Sequence, residues 1–532
     1  MRRNNITLIG PPGVGKSSAG KQIAQQLSWR FIDTDVEVTK RLGMPVHKII
    51  ETLGRPYFRQ CERQVCLDLA HVQRCVIATG GGFPVFTANR KILHEISHVY
   101  SLKANAETLV KRLATSKQIR PGLNGKEQIQ ELLHQRFTTY TTSSFLPVNT
   151  HNKPALQVAK EIVQRHQASS VFTTSNTKEL VMACAGCAPY PMHIHQGGLQ
   201  HIGSLLRFIL GDIWRVAVLA DKTVWQHHGN QVAHSLHQLN QPFDVWLLSG
   251  GERSKSMRTV TRLHKNLLAK GFTRDSCVLA LGGGCINDLA GFVAATFARG
   301  IPWVALPTSL LAMVDACVGG KTAVNLPQAK NAVGAFHPPK AVLLDPNTLQ
   351  TLPTKHLQCG VAEIIKHGLL GDNTLLRMLH QPNCCLHDEH LLHRAIQVKA
   401  AIVQEDPFEQ GQRVLLNLGH TFAHALEHVT NYKMHHGSAV ALGLLAAAHL
   451  SYDLGHCSKT LPAYVKQLLE HWELPTKLPT TCIPEAVQQA MQTDKKRLKG
   501  ELQFVLLKEV GCACTQTQVP PNKVLRALSR LQ

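Results

Sequence analysis

Long apolar runs are missing from this 532-residue chain. None approaches the roughly 20 residues needed to cross a bilayer, which excludes a transmembrane helix. An export leader is missing too. Met1–Asn5 is short and polar, and Ile6–Ile9 already reads as a buried strand, so the expectation is a cytoplasmic protein. Its 15 cysteines are then expected as reduced thiols, not as a disulfide framework. Acidic residues are scarce, 35 against 57 Lys and Arg, for a formal charge of +22. The basic residues are scattered, with no long Lys/Arg run and no aromatic-studded stripe, which argues against nucleic-acid binding. A positive field also suits an enzyme that handles phosphorylated or carboxylated small molecules. Internal repeats and low-complexity tracts are absent, and 44% hydrophobic with 17% charged residues is globular and excludes disorder.

The length calls for two or three domains. Strand-like runs (ITLIG, CVIATG, HVYSL) alternate with helical stretches in the first block, which reads as a parallel α/β unit. Gln167–Lys178, QASSVFTTSNTK, lacks periodicity and reads as a linker. A second α/β block follows (WRVAVLA, CVLALGG, PWVALP), and after about Leu352 helical segments dominate.

Gly10-Pro-Pro-Gly-Val-Gly15-Lys16-Ser17 matches the phosphate-loop pattern, after a strand and before a helical segment. Its glycines let backbone N–H groups converge on phosphate, and a helix N-terminus adds a favourable field. Gly13, Val14, Gly15, Lys16, Ser17 and Ser18 are the expected nucleotide contacts. Lys16 would reach the terminal phosphates, and the Ser17 hydroxyl would sit on magnesium. The next strand, FIDTD, places Asp33 and Asp35 on one strand face by its period of two. One would hold a magnesium water and the other, Asp35, would take a proton from an acceptor hydroxyl. The bland reading is a strand end with two solvated acids.

GPPGVGKSS, DTD, YFRQCE, TGGG and IRPG, in this order and at these intervals, resemble shikimate kinase over nearly the first 150 residues. The resemblance implies that Asp35, Arg59, Gly81 and Arg136 hold the carboxylated, hydroxylated ring and that Arg120 covers ATP. Arginine suits both tasks through its bidentate fork. Two departures stand out: the lid reads Arg120-Pro121-Gly122-Leu123, and the segment after Arg136 is FTTYTTSS.

In the second half, CVLAL runs into Gly282-Gly283-Gly284-Cys-Ile-Asn-Asp288, a glycine-rich turn suited to a pyrophosphate but a poor match to the ordinary dinucleotide fingerprint. Glu363 and Lys366 are three apart on a helical segment; His420 and His424 are four apart, and His436 follows. One carboxylate and two imidazoles would leave open positions on zinc. Against this, 30 histidines make such spacings common by chance.

From about Ala183 to Gly511 the chain resembles 3-dehydroquinate synthase through GGERSK, LGGGCINDLAGFVAA, RGIPWVALPTSLLAMVDACVGGKTAVN, KNAVGAF, GVAEIIKHG, GQRVLLNLGHTFAHALE, HGSAV and DKK. The resemblance implies the metal ligands Glu363, His420 and His436, with zinc or cobalt as the ion. It implies NAD contacts at Asp221, Glu252, Lys255, Gly283, Gly284, Asp288, Thr308, Ser309, Lys321, Lys330, Thr348, Leu349, Gln350 and Thr351. Substrate contacts fall on Arg299, Asp315, Lys321, Asn331, Lys366, Lys399, Arg413, Asn417 and Lys496, while Glu409 and His424 handle protons. Arg299 matches a residue delivered by a neighbouring subunit, which implies a homodimer. Departures are Asn287 for Gly, Ser309 for Thr, Ala316-Cys317 for Ser-Ser, Pro407-Phe408 and Ser438 for Glu.

The fold class expected is therefore α/β: a P-loop-type parallel-sheet kinase domain (1–166), a linker (167–180), an NAD-binding α/β lobe (181–350) and a mostly helical metal and substrate lobe (351–532). The function implied is bifunctional. ATP-Mg phosphorylates shikimate, and NAD with a divalent metal converts 3-deoxy-D-arabino-heptulosonate 7-phosphate to 3-dehydroquinate and phosphate. Three alternatives stay open: a P-loop unit serving another acceptor or only binding nucleotide, a polyol dehydrogenase, and another sugar-phosphate cyclase. Cys184-x2-Cys187 with His193 and His195 invites a zinc reading, but it lacks a second pair at finger spacing and is read as a structural edge.

Overall fold

A computed structural model describes residues 3–115, 126–173, 177–183, 188–491, 497–498 and 501–532. Two parallel sheets organise the first two thirds. The N-terminal sheet has strands β1 (Asn5–Ile9), β2 (Arg30–Asp33), β3 (Cys75–Ala78), β4 (Ser97–Lys103) and β5 (Leu146–Asn149), in the order β2-β3-β1-β4-β5. Every pair is parallel. β1 and β3 are fully buried; β3 is accordingly an unbroken apolar run, while the buried Asn5 and Thr7 of β1 are hydrogen-bonded to Val72 O and Ser97 Oγ. Helix Val46–Leu69 breaks at Gly54, whose φ of 81° takes the backbone out of helix just ahead of Pro56.

The second sheet has strands β6 (Lys178–Met182), β7 (Tyr190–Ile194), β8 (Val216–Asp221), β9 (Phe243–Leu248), β10 (Cys277–Gly282), β11 (Trp303–Pro307) and, beyond the hairpin of β12 (Lys321–Leu326) and β13 (Ala329–Phe336), β14 (Ala341–Leu344). Its order is β6-β7-β14-β11-β10-β8-β9, parallel except for β6. The stretch read as a linker is structured at both ends. Gln167 and Ala168 finish a helix, 169–173 form a 3₁₀ turn, and Lys178 opens β6. The strand carrying His193 is no edge: β7 lies between β14 and β6, and His193 is buried. Cys184 and Cys187 lie outside the described residues.

Beyond Leu352 helices prevail, as the sequence predicts. His436–Asp453 is buried on almost every face, which its run VALGLLAAAHL anticipates. Close helix contact is set by glycine: a Cβ on Gly443 would lie 2.2 Å from the Gly419 carbonyl oxygen. Among the described residues no helix is long and apolar enough to cross a membrane, and every described cysteine is a free thiol.

The two units pack directly on one another. Arg165, on helix Ala155–Ala168, is buried and donates Nη1 to Pro147 O at 2.8 Å, Nε to Phe208 O at 3.0 Å and Nη2 to Ile209 O at 2.7 Å. It thereby satisfies carbonyls at the end of helix Ile202–Leu210. Around it lie His98 and His166, Nδ1 atoms 3.2 Å apart, with Phe208 against His98.

Candidate active sites

The phosphate loop curls because Gly13 (φ 79°) and Gly15 (φ 98°) adopt left-handed backbone, and it feeds helix Lys16–Leu27. The Lys16 ammonium folds back onto the carbonyls of Gly10 (2.8 Å) and Pro11 (3.0 Å), and the Ser17 hydroxyl donates to Asp33 Oδ2 at 2.6 Å. Ser17 and Asp33 thus present two oxygens side by side, a fit for magnesium.

The expectation that Asp33 and Asp35 share a strand face is corrected here. Strand β2 ends at Asp33, whose carboxylate accepts from the Asp35 N–H at 3.1 Å and caps helix Thr34–Leu42, so Asp35 sits in its first turn. The two acids still meet one cavity of about 1110 Å³, together with the phosphate loop and Gly81.

Glycines 80–82 leave room that side chains need. A Cβ on Gly80 would lie 2.4 Å from Asp35 Oδ1, and one on Gly82 would lie 2.3 Å from Arg59 Nη2. The Gly81 carbonyl accepts from Arg136 Nη1 (3.0 Å) and Tyr140 Oη (2.6 Å), so Arg136 meets Gly81 while Arg59 stands against the neighbouring Gly82. Arg120 lies outside the described residues.

Two residues here escaped the sequence reading. Glu62 pairs with Arg59, and burial pushes its carboxyl up to about 7 against the pull of that arginine. Its spacing of three from Arg59 on a helix was the available signal. Arg112 donates to Val14 O (3.2 Å) and to Thr150 Oγ1 (3.1 Å) and O (2.7 Å), and it lines the cavity with Lys153 and Pro154. No local spacing announces it.

In the second half Glu363, His420 and His436 meet. The Glu363 Oε1 atom is 3.4 Å from His420 Nε2 and 3.5 Å from His436 Nε2. Glu363 comes from helix Thr354–Gly371, His420 opens helix His420–Val429, and His436 opens helix His436–Asp453. One donor atom from each lies within 4.8 Å of the others. A hard oxygen and two imidazole nitrogens around one point fit zinc or cobalt.

Each histidine is oriented through its other nitrogen. His420 Nδ1 is 3.2 Å from Leu418 O, and His436 Nδ1 is 3.1 Å from Glu427 Oε1. Burial and the nearby Lys366 push His420 down to about 4. Burial would lower His436 as well, but Glu363 and Glu427 hold it up at about 10. Burial opposes the charge on Glu363, while Lys366 and His420 hold its carboxyl well below the usual range.

Lys366 pairs with Glu363, and Lys399 Nζ reaches Asp315 Oδ1 and O, both at 2.7 Å. Asp315 lies at the NAD-lobe end of this network, beside buried His367. Arg413, also buried, donates to Pro407 O within a turn that Asp406 ties down by accepting from the N–H groups of Gln410, Gly411 and Arg413. That turn presents Glu409 to Lys321. His424 follows His420 by one helical turn, with ring centroids 5.7 Å apart. Asn417 closes the 3₁₀ turn before it. Lys496 lies outside the described residues.

The turn after β10 carries Gly283 and Gly284, with Ser309 Oγ 3.3 Å from where a Gly283 Cβ would stand. Asn287, where a glycine is usual, donates Nδ2 to Gly282 O (2.8 Å) and Gly283 O (3.0 Å), so it braces the turn. Lys255 joins Asp288 and Asn331, and Glu252 accepts from Asn325 Nδ2 at 2.5 Å. Asp221 ends β8 and caps the next helix, and Thr308, just past β11, donates its N–H to Gly282 O at 3.1 Å. Thr348, Leu349, Gln350 and Thr351 form a 3₁₀ turn, its Thr351 Oγ1 2.9 Å from His228 Nε2. Lys330 stands over the Tyr432 ring, 4.2 Å from its centroid.

A nucleotide loop on a 2-3-1-4-5 parallel sheet defines a P-loop kinase unit. A glycine-turn lobe facing a helical lobe with a His/His/Glu cluster is the arrangement of a dinucleotide- and metal-dependent enzyme. Residues 12–167 match the shikimate kinase family, 245–359 the 3-dehydroquinate synthase N-terminal family and 360–497 the 3-dehydroquinate synthase C-terminal family. The 3-dehydroquinate synthase of Xanthomonas campestris pv. campestris is 42% identical over 358 residues, covering 65% of this chain and 96% of that protein. That of Acaryochloris marina is 40% identical over 357 residues, covering 64% and 95%. Among solved structures, the 2-epi-5-epi-valiolone synthase ValA of Streptomyces hygroscopicus, with NAD⁺ and Zn²⁺ bound, matches with a TM-score of 0.58 and 28% identity over 64% of this chain and 96% of that one. The chain belongs to the 3-dehydroquinate synthase family and carries a shikimate kinase domain ahead of it.

Proposed function

We propose that the chain catalyses two steps of the shikimate pathway: ATP-dependent phosphorylation of shikimate, and conversion of 3-deoxy-D-arabino-heptulosonate 7-phosphate to 3-dehydroquinate and phosphate. The observation that carries the second step is the convergence of Glu363, His420 and His436 beside Lys366, Asp315 and Lys399. NAD and a divalent cation, when bound, supply reversible hydride transfer and polarisation of a substrate oxygen. The protein's own groups do the rest. Lys366, Lys399 and Arg413 fix the substrate's carboxylate and phosphate, and Glu409 and His424 hold the protons that move between ring atoms. In the kinase, Lys16 steadies the terminal phosphates, Ser17 and Asp33 hold magnesium, and Asp35 takes the proton of the attacking hydroxyl while Arg59, Gly81 and Arg136 hold the ring.

The proposed units are 1–166 for the kinase, 167–180 for the junction, 181–350 for the NAD lobe and 351–532 for the metal lobe, in a cytoplasmic homodimer. Arg299 supports the dimer. It is exposed at the far end of helix Gly284–Thr296, about 20 Å from the glycine turn by helical rise, so it is placed to serve a second copy rather than its own site.

The test uses the purified chain in separate assays: the phosphorylated keto acid with NAD⁺ and zinc or cobalt, and shikimate with ATP-Mg. Phosphate release without net NADH, and shikimate-dependent ADP formation, are expected. Net NADH from simple polyols would replace the synthase reading with a dehydrogenase, and ATP turnover indifferent to shikimate would remove the kinase reading.

A further inference from the structure

Helix His420–Val429 carries three polar residues on one stripe, His420, His424 and Glu427, at intervals of four and three. The third had no part in the sequence reading. Glu427 is 9% exposed, on a helix whose other buried residues are mostly apolar. Desolvating a carboxylate there costs free energy unless a partner compensates. The partner is His436: Glu427 Oε1 stands 3.1 Å from its Nδ1, while His436 Nε2 faces Glu363. The main chain holds the carboxylate's own helix end, since the Tyr432 N–H donates to Glu427 O at 2.7 Å.

We infer that Glu427 is the positioning residue of the cation site. It accepts the Nδ1 proton of His436 and so fixes the tautomer and ring plane that aim the Nε2 lone pair at the ion. The inference rests on the cation-site reading above. It follows from the two-sided geometry of an imidazole: the hydrogen bond at one nitrogen decides which nitrogen is left to coordinate. The two ligating histidines are treated differently. His420 leans on the neutral Leu418 carbonyl, whereas His436 leans on an anion, which makes it the more basic donor.

The experiment compares the wild-type chain with Glu427→Ala, Glu427→Gln and Glu427→Asp. Zinc affinity is measured by competition with a chromophoric chelator, and the Co²⁺ absorption spectrum is recorded at saturation. The melting temperature of each metal-free protein is measured beside them. Outer-sphere partners of this kind typically change affinity 10- to 100-fold. Glu427→Ala is expected to weaken zinc by about that factor and to shift the Co²⁺ spectrum, with the metal-free melting temperature held. Glu427→Gln keeps an acceptor for Nδ1–H but no charge, so it is expected to fall between Ala and wild type. Unchanged zinc affinity in Glu427→Ala overturns the inference, and so does a loss matched by an equal loss of metal-free stability, which marks a packing role. If the wild-type chain itself takes up no zinc or cobalt, the cation-site reading fails first.

Discussion

The ammonium of Lys399 lies 2.7 Å from both the side-chain Oδ1 and the backbone oxygen of Asp315, and so joins the helical lobe to the NAD lobe. Lys399 is buried and Asp315 half-buried, its side chain 28% exposed, and Asp315 is held well below the usual carboxylate range: burial opposes its charge, but Lys399 and Lys366 outweigh that. Removing one partner of a fully buried pair costs about 3–5 kcal/mol, and here Lys366, 3.8 Å from Asp315 Oδ1, and the partial exposure of Asp315 reduce that. Lys399→Met is therefore expected to lower the stability of the synthase half by less than that figure and to abolish its turnover. Denaturant unfolding and a phosphate-release assay check this, with kinase activity unchanged as the internal control.

The kinase half responds to its own substitutions. Lys16→Met removes the charge aimed at the transferred phosphoryl group, and losing a preorganised electrostatic contact of this kind costs about 10²–10³ in kcat. Shikimate-dependent ADP formation is expected to fall by that factor, with 3-dehydroquinate formation unaltered in the same preparation.

Arg165 is the joint between the halves. Its guanidinium satisfies three carbonyls from two units, and lysine has neither the planar fork nor the reach to replace it. Leaving buried carbonyls unpaired costs about 1–3 kcal/mol each. Arg165→Ala and Arg165→Lys are both expected to destabilise the chain by a few kcal/mol, within that per-carbonyl scale. They are also expected to split one calorimetric transition into two, which scanning calorimetry reads directly.

The same seam predicts a pH dependence. Burial holds His166 down to about 4 and His98 well below the ordinary histidine range. It also holds down to about 4 His94, whose carbonyl accepts from Arg3 Nε at 2.7 Å while Arg3 pairs with Glu179 of the second unit. These rings are neutral in the folded chain, while the unfolded chain binds protons below about 6.5. Their contribution is complete above that value and is lost as pH falls from 6.5 towards 4. The slope is about 1.4 kcal/mol per pH unit for each ring that remains neutral. Unfolding free energies at pH 7 and pH 5 check the sign. His166→Phe, which keeps a ring against Trp29, is expected to flatten the slope.

What the fold brings together was legible where neighbours in space are also near neighbours in the chain. The phosphate loop, the glycines of 80–82 and the Glu363–Lys366 pair each occupy a single turn or helix face. His420 and His436 sit in short collinear motifs, and the fold brings them to Glu363 as expected. The strand through Asp33 was read two residues too long, because a capping carboxylate ends a strand as effectively as a glycine but carries the same letters as a surface acid. Glu427 was legible in principle, seven residues beyond His420 on one helix, yet its meaning depends on where the next helix begins. Arg112 folds back on Val14 from nearly a hundred residues away, and Arg165 acts only once two units have docked. Neither leaves a pattern in one dimension.

Gly419, left-handed at φ 77° and pressed so close to the next helix that a Cβ would lie 2.8 Å from the Leu444 nitrogen, sets where helix His420–Val429 starts. Each residue added or removed immediately after it turns the helix by about 100°. Such a change swings the first imidazole, the second imidazole and the bracing carboxylate off target together. The junction between Gly419 and His420 is thus a phase setting for the whole cation site, and an insertion there is expected to silence the synthase even when no functional side chain is altered.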